Sequence, residues 1–159
     1  MRQSDKKMSQ VMETIWVGSC SDSANTSFLQ ERGIDYSICC AEEYRYPPSF
    51  FYLSEKTDHW YHIPIKDACV EESTIDHLKE GAAKLHEWVE CGHRVLVHCY
   101  TGKSRSISVI LTYLMLYKGW SFDIAYLHLK QRHHAFHLDT LYLPVLQEVR
   151  TTCLPISPC

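Results

Sequence analysis

A mostly parallel α/β sheet of about five strands, twisted and flanked by helices on both faces, is the fold this sequence predicts. Three observations carry it. Short apolar runs of strand length, IDYSICC at 34–40 and RVLVH at 94–98, alternate with longer stretches of helical period. RVLVH is apolar almost throughout, the pattern of a strand covered on both sides. The 159 residues, 45% of them apolar, suit one domain with its own core.

Taken in order, residues 11–18, VMETIWVG, read as a strand that stops at Gly18. Asp22 or Ser23 caps a helix through Arg32, and Gly33 suits its end. A strand at 34–40 follows. Residues 44–58, with Pro47-Pro48, read as mostly loop, and HWYHIPI at 59–65 as the next strand. Ser73 opens a helix, with Asp76 three residues on as its capping box. Ile75, Leu78, Ala82, Leu85 and Val89 recur on one face of that helix, and Gly92 ends it. After the 94–98 strand and a turn, Ser106 to Tyr117 is almost wholly apolar, as in a helix buried on most sides. Gly119 closes it and Ser121 caps a helix at 122–132. The last helix covers 140–151, with Pro144 tolerable near its first turn. A polar segment at 1–10 and a tail at 151–159 flank the single domain at 11–150.

Composition excludes several roles. A net charge of -3 argues against a general nucleic-acid binder. No apolar run approaches membrane-spanning length, and none behind the N-terminus reads as a secretory signal. Arg2 rules out myristoylation, and Ser157-Pro158-Cys159 is not a prenylation box. The eight cysteines include no C-x-x-C pair, so they read as reduced thiols of an intracellular protein, cytoplasmic or nuclear. His133, His134 and His137 spell H-H-x-x-H, but no glutamate or cysteine completes a metal pattern.

The segment that carries chemistry is VLVHCYTGKSRS, 95–106. It reads strand, tight turn, helix, with Cys99 at the strand's end and Gly102 as the permissive position of the turn. Such a turn aims backbone N–H groups into one concavity, and the helix behind it adds the positive end of its dipole. The same field favours thiolate over thiol and readies a cysteine to attack phosphorus. Arg105 can fold back and grip two phosphate oxygens with its planar fork. A nucleotide-binding reading of Gly102-Lys103-Ser104 fails, because position 97 is Val where that motif needs glycine.

The pattern H-C-x-x-G-x-x-R-S, here His98, Cys99, Gly102, Arg105 and Ser106, resembles the signature of the protein tyrosine phosphatase superfamily. Its S-R-S continuation into an apolar helix looks like the small, atypical dual-specificity phosphatases. GIDYSICC, HIPIKD and IDHLKEGAAKLHEWVECGHRVLVHC are similar to further core segments of that family. The resemblance implies that Cys99 is the nucleophile and that the Tyr100, Thr101, Gly102, Lys103, Ser104 and Arg105 stretch holds the phosphoryl oxygens. Asp67, which ends HIPIKD, is the implied general acid, with Glu71 and Glu72 as nearby competitors. Ser106 would ease departure of the Cys99 sulfur, and His98 would shape the loop.

No metal or other cofactor is needed by such chemistry. The implied substrates are proteins carrying phosphotyrosine and phosphoserine or phosphothreonine. A phosphoinositide is the alternative, because lipid-directed relatives commonly carry a basic residue where Lys103 stands. A phosphate-binding module of weak activity is the rival from another class. Cys40 sits where lipid-directed relatives carry a cysteine able to trap the oxidised nucleophile as a disulfide. A plain buried cysteine is the other reading, and Cys69 the other partner. Asp139 occupies a loop that lies beside the active site in relatives, and Arg132 reads as a surface charge. Oligomeric state is not legible.

Overall fold

The computed structural model of the chain describes residues 8–48 and 57–152. Its strands are β1 (Ser9–Met12), β2 (Ile15–Gly18), β3 (Tyr36–Cys39), β4 (Trp60–His62) and β5 (Val95–His98). They form one sheet in the order β1-β2-β5-β3-β4. β2, β5, β3 and β4 run parallel, and β1 pairs antiparallel with β2. The helices are α1 (Cys20–Ser23), α2 (Thr26–Glu31), α3 (Thr74–Glu90), α4 (Arg105–Tyr117), α5 (Phe122–Arg132) and α6 (Leu143–Thr152).

Successive side chains of a strand point to opposite faces, and here both faces are covered. Val95 and Val97 of β5 join Ile15 and Val17 of β2 in the main core, against Leu78 and Leu85 of α3 and Ile107 of α4. Leu96 and Trp16 pack on the other side with Phe28, Leu29 and Ile34. α4 lies at the centre of the main layer, and every residue from Arg105 to Met115 is buried.

β5 lies between β2 and β3 although it follows β4 in the chain. The strand order therefore switches at β5. In open α/β sheets the crevice beyond the carboxyl ends of the strands at such a switch is where ligands bind. Cys99 is the residue directly after β5.

Several elements depart from the sequence prediction. The 11–18 strand is a hairpin: β1 and β2 are joined by a turn at Glu13-Thr14, with a register irregularity between Gln10 and Met12. No Gly or Asn marks that turn, so the run looked continuous. β1 also takes in Ser9 and Gln10, residues of the expected polar segment. The helix expected through Arg32 is two. Ser19, not Asp22 or Ser23, caps α1 through a capping box with Asp22, and Asn25 caps α2 by accepting from the Phe28 N–H. Asn25 thereby supplies a local alternative to helix continuation.

Ser73 stands at the cap position but makes no side-chain cap, its backbone being in the helical region at φ -79 and ψ -9. Thr74 Oγ1 instead accepts from the Glu71 N–H at 2.8 Å. On α3 the buried face is Thr74, Leu78, Gly81, Ala82, Leu85 and Trp88, so Ile75 and Val89 lie at its margin. β4 is shorter than the expected 59–65, because Pro64 has no N–H to extend the ladder. Thr140–Tyr142 is a 3-10 turn that leads into α6. Of the expected loop at 44–58, residues 49–56 lie outside the described residues, as do 153–159 of the tail.

Candidate active site

The turn after β5 closes tightly. Gly102 has φ +75, and a Cβ there would lie 2.6 Å from the Gly18 carbonyl oxygen, so only glycine fits. The Gly102 N–H points back at the Cys99 sulfur, 3.3 Å away. Ser106 Oγ lies 3.4 Å from the same sulfur, and Cys99 is buried. α4 starts at Arg105, so its positive N-terminal end faces this concavity as well.

The carbonyls of the turn are held from outside. Tyr100 O accepts from the Cys20 N–H at 3.0 Å, and Lys103 O from the His137 N–H at 3.0 Å. Gly102 O accepts from His133 Nε2 at 2.7 Å, and the other nitrogen of that ring meets Ser9 Oγ at 2.8 Å. Burial lowers the His133 pKa and so favours the neutral ring. With its carbonyls taken by these donors, the loop can turn N–H groups inward, the arrangement that binds an oxyanion.

Arg105 is buried and held by Glu43. Its two terminal nitrogens each donate to one Glu43 carboxylate oxygen at 2.7 Å, and one of them also donates to Ile65 O at 2.9 Å. Burial is the largest single influence and works against the charge, but the Glu43 hydrogen bonds together with the nearby Cys99, Glu43 and Asp67 groups leave the Arg105 pKa raised. In return, the Arg105 hydrogen bonds hold the Glu43 carboxyl below its ordinary range. Arg105 Nε lies 3.8 Å from Asp67 Oδ1. Asp67 thus stands beside the arginine, with its side chain 74% exposed. Lys66 pairs with Glu71 at 2.8 Å, which occupies one of the competing carboxylates.

His98 is fully buried, its Nδ1 meets Cys99 O at 3.1 Å, and burial lowers its pKa to about 4. It is neutral at pH 7, and its ring contacts the first carbonyl of the loop. The Ser104 hydroxyl accepts from the Asp139 N–H at 2.8 Å, so that side chain is engaged with the 137–142 segment. Tyr100, Thr101 and Lys103 are exposed on the rim.

Cys40 is buried one register step past the Cys39–His98 pair, and its N–H donates to His98 O at 2.7 Å. It is therefore the strand neighbour of Cys99. Burial raises the Cys40 thiol well above its ordinary range and the Cys39 thiol to about 12. Cys69 lies on the Asp67 segment, half-buried. Of the three histidines, His133 points inward and uses both nitrogens, while His134 and His137 are exposed. No group of three His, Cys, Asp or Glu among the described residues could hold a metal ion.

Three residues of this site carry no plain sequence signal: Glu43, which holds the arginine; His133, which holds Gly102; and Tyr142, whose hydroxyl donates to Lys66 O at 2.8 Å beside Asp67. Each acts across a long stretch of chain, so no local spacing announces it.

Comparison with known proteins agrees with this geometry. The model of the dual specificity phosphatase catalytic domain matches residues 15–152. Dual specificity protein phosphatase 1B of Arabidopsis thaliana is 26% identical over 145 residues, covering 90% of this chain and 81% of that protein. Dual specificity protein phosphatase PHS1 of Arabidopsis thaliana is 31% identical over 158 residues, covering 93% of this chain but 16% of that longer protein. The crystal structure of human DUSP28 superimposes with a TM-score of 0.77 at 21% identity, covering 91% of this chain and 93% of that one. With a family match over residues 15–152 and Cys99 set on a glycine turn between strand and helix, this chain belongs to the dual specificity phosphatase catalytic-domain family.

Proposed function

We propose that the chain removes phosphate from phosphotyrosine and from phosphoserine or phosphothreonine on proteins, through a thiophosphoryl intermediate on Cys99. The observation that carries this is the sulfur of Cys99 facing the Gly102 N–H and Ser106 Oγ, with Arg105 at the head of α4.

In the first step the sulfur attacks phosphorus, a P–S bond forms and the P–O bond to the leaving group breaks. Backbone N–H groups of the turn and the Arg105 N–H groups that Glu43 and Ile65 leave free hold the equatorial oxygens, where charge is stabilised during transfer. Asp67 gives its proton to the leaving oxygen. In the second step water attacks phosphorus and Asp67 takes its proton. The P–S bond then breaks as the Ser106 hydroxyl hydrogen-bonds the departing sulfur. Glu43 keeps Arg105 charged and aimed.

A panel of phosphotyrosine peptides, phosphothreonine peptides and phosphoinositides tests the reading, with Cys99→Ser as control. Turnover of both peptide classes, abolished in the variant, is expected. An exposed Lys103 on the rim favours the lipid alternative, and release from phosphoinositides alone would select it. Binding of phosphopeptides without turnover would select the binding-module reading.

A further inference from the structure

Single exposed apolar side chains are ordinary on a protein surface, but a set gathered around one mouth is not. The exposed large apolar residues among those described are Tyr46, Val70, Tyr100, Leu141, Ile124 and Leu127. Ile124 and Leu127 lie one turn apart on α5. The other four stand on the segments that build the active site, and they are between 41% and 67% exposed.

Each segment is tied to the catalytic loop by a contact. The 42–46 segment reaches it through the Glu43–Arg105 pair, and the Tyr44 ring lies edge-on to His98 at 5.8 Å. The 66–72 segment reaches it through Asp67 at Arg105. The 137–142 segment does so through the His137 N–H on Lys103 O and the Asp139 N–H on Ser104 Oγ. Tyr100 belongs to the loop itself. Four separate stretches of chain thus each carry a large exposed apolar side chain within four residues of a contact with the catalytic loop, or in the loop itself.

The charges on these segments narrow the partner. Glu42 lies beside Glu43, Glu71 and Glu72 follow Asp67, and Asp139 completes the set, so carboxylates outnumber the lysines and arginines. Of the four bases on these segments, Arg105 is held by Glu43 and Lys66 by Glu71, while Arg45 and Lys103 are exposed. An anionic membrane or a polyphosphorylated headgroup would meet repulsion beyond the catalytic loop. A polypeptide with apolar side chains and no added carboxylates would not.

We infer that Tyr46, Val70, Tyr100 and Leu141 form a docking rim, continuous with the catalytic mouth, for a phosphorylated protein segment with apolar residues on either side of its phosphoresidue. This inference rests on the phosphatase reading and names the substrate that site selects.

The test compares phosphotyrosine peptides of one length whose flanking positions are Leu and Ile, Ser and Asn, or Asp and Glu. An aryl phosphate and phosphatidylcholine vesicles carrying a phosphoinositide complete the panel. The apolar-flanked peptide should exceed the Ser/Asn peptide by about tenfold in kcat/KM, mostly through KM, with the acidic peptide poorest. Tyr46→Ser combined with Leu141→Ser should bring the apolar-to-polar ratio to within about twofold of one. General damage to the fold would lower all peptides together and leave that ratio high, which would overturn the inference. So would equal turnover of the peptide set with aryl phosphate cleaved well, or faster release from the vesicles than from any peptide. No turnover on any arm, aryl phosphate included, would overturn the phosphatase reading itself.

Discussion

Arg105 carries its charge in a buried place, and Glu43 is what makes that tolerable. A buried charge without a partner is costly, and a bidentate carboxylate offsets the loss of water. Glu43→Gln removes the charge while keeping the shape. We predict a fall of about tenfold or more in kcat/KM on aryl phosphate, because the fork loses its aim. An unchanged value would remove Glu43 from the site. Asp67→Asn should slow an alkyl phosphate by about 10²–10⁴-fold, and an aryl phosphate with a good leaving group much less. Equal losses on both would show that Asp67 is not the proton donor. Mild peroxide should join Cys40 to Cys99, seen as a linked peptide by mass spectrometry and absent in Cys40→Ser. A link to Cys69 instead would identify the other candidate. Cys99, Arg105, Asp67 and Ser106 were legible because the motif and the strand before Asp67 place them by type and spacing. Glu43 was not, since it meets Arg105 only after β3 and β5 have paired in their register.

At the scale of the element, the strand–turn–helix around Cys99 is set by backbone geometry more than by any one side chain. Gly102 backs directly onto the Gly18 backbone, so β2 and the catalytic loop brace each other. Gly102→Ala would place a Cβ both at positive φ and against a carbonyl that cannot step aside. We predict a cost of about 1–3 kcal/mol in thermal or denaturant unfolding, with activity nearly lost. A variant as stable and active as the parent would contradict this geometry. This element was readable in advance, because an apolar strand, a glycine turn and an apolar helix each obey their own period. The β1–β2 hairpin was not, since its turn is Glu13-Thr14 and carries none of the usual residues. The split between α1 and α2 escaped for a related reason: Asn25 acts as a cap inside what periodicity presents as one helix.

For the molecule as a whole, alternating strands and helices foretold a mostly parallel sheet covered on both faces. The insertion of β5 between β2 and β3 was not foretold, because strand order depends on crossovers that local sequence does not encode. That insertion also buries His98 at the sheet centre and lowers its pKa from 6.5 to about 4. In this window the unfolded chain binds a proton that the folded one refuses, so stability falls as pH drops from 6.5 towards 4. We predict a loss of a few kcal/mol across it, on the order of the pKa difference, by denaturant unfolding at a series of pH values. His98→Asn should flatten that slope, and an unaltered slope would place the effect elsewhere. The proposed passage of the phosphoryl group through the sulfur of Cys99 is open to measurement: acid-quench the enzyme during turnover and locate bound phosphate by mass spectrometry. Phosphate is expected on the peptide containing Cys99, accumulating further in Ser106→Ala; steady turnover with Cys99 never phosphorylated would overturn the thiophosphoryl route.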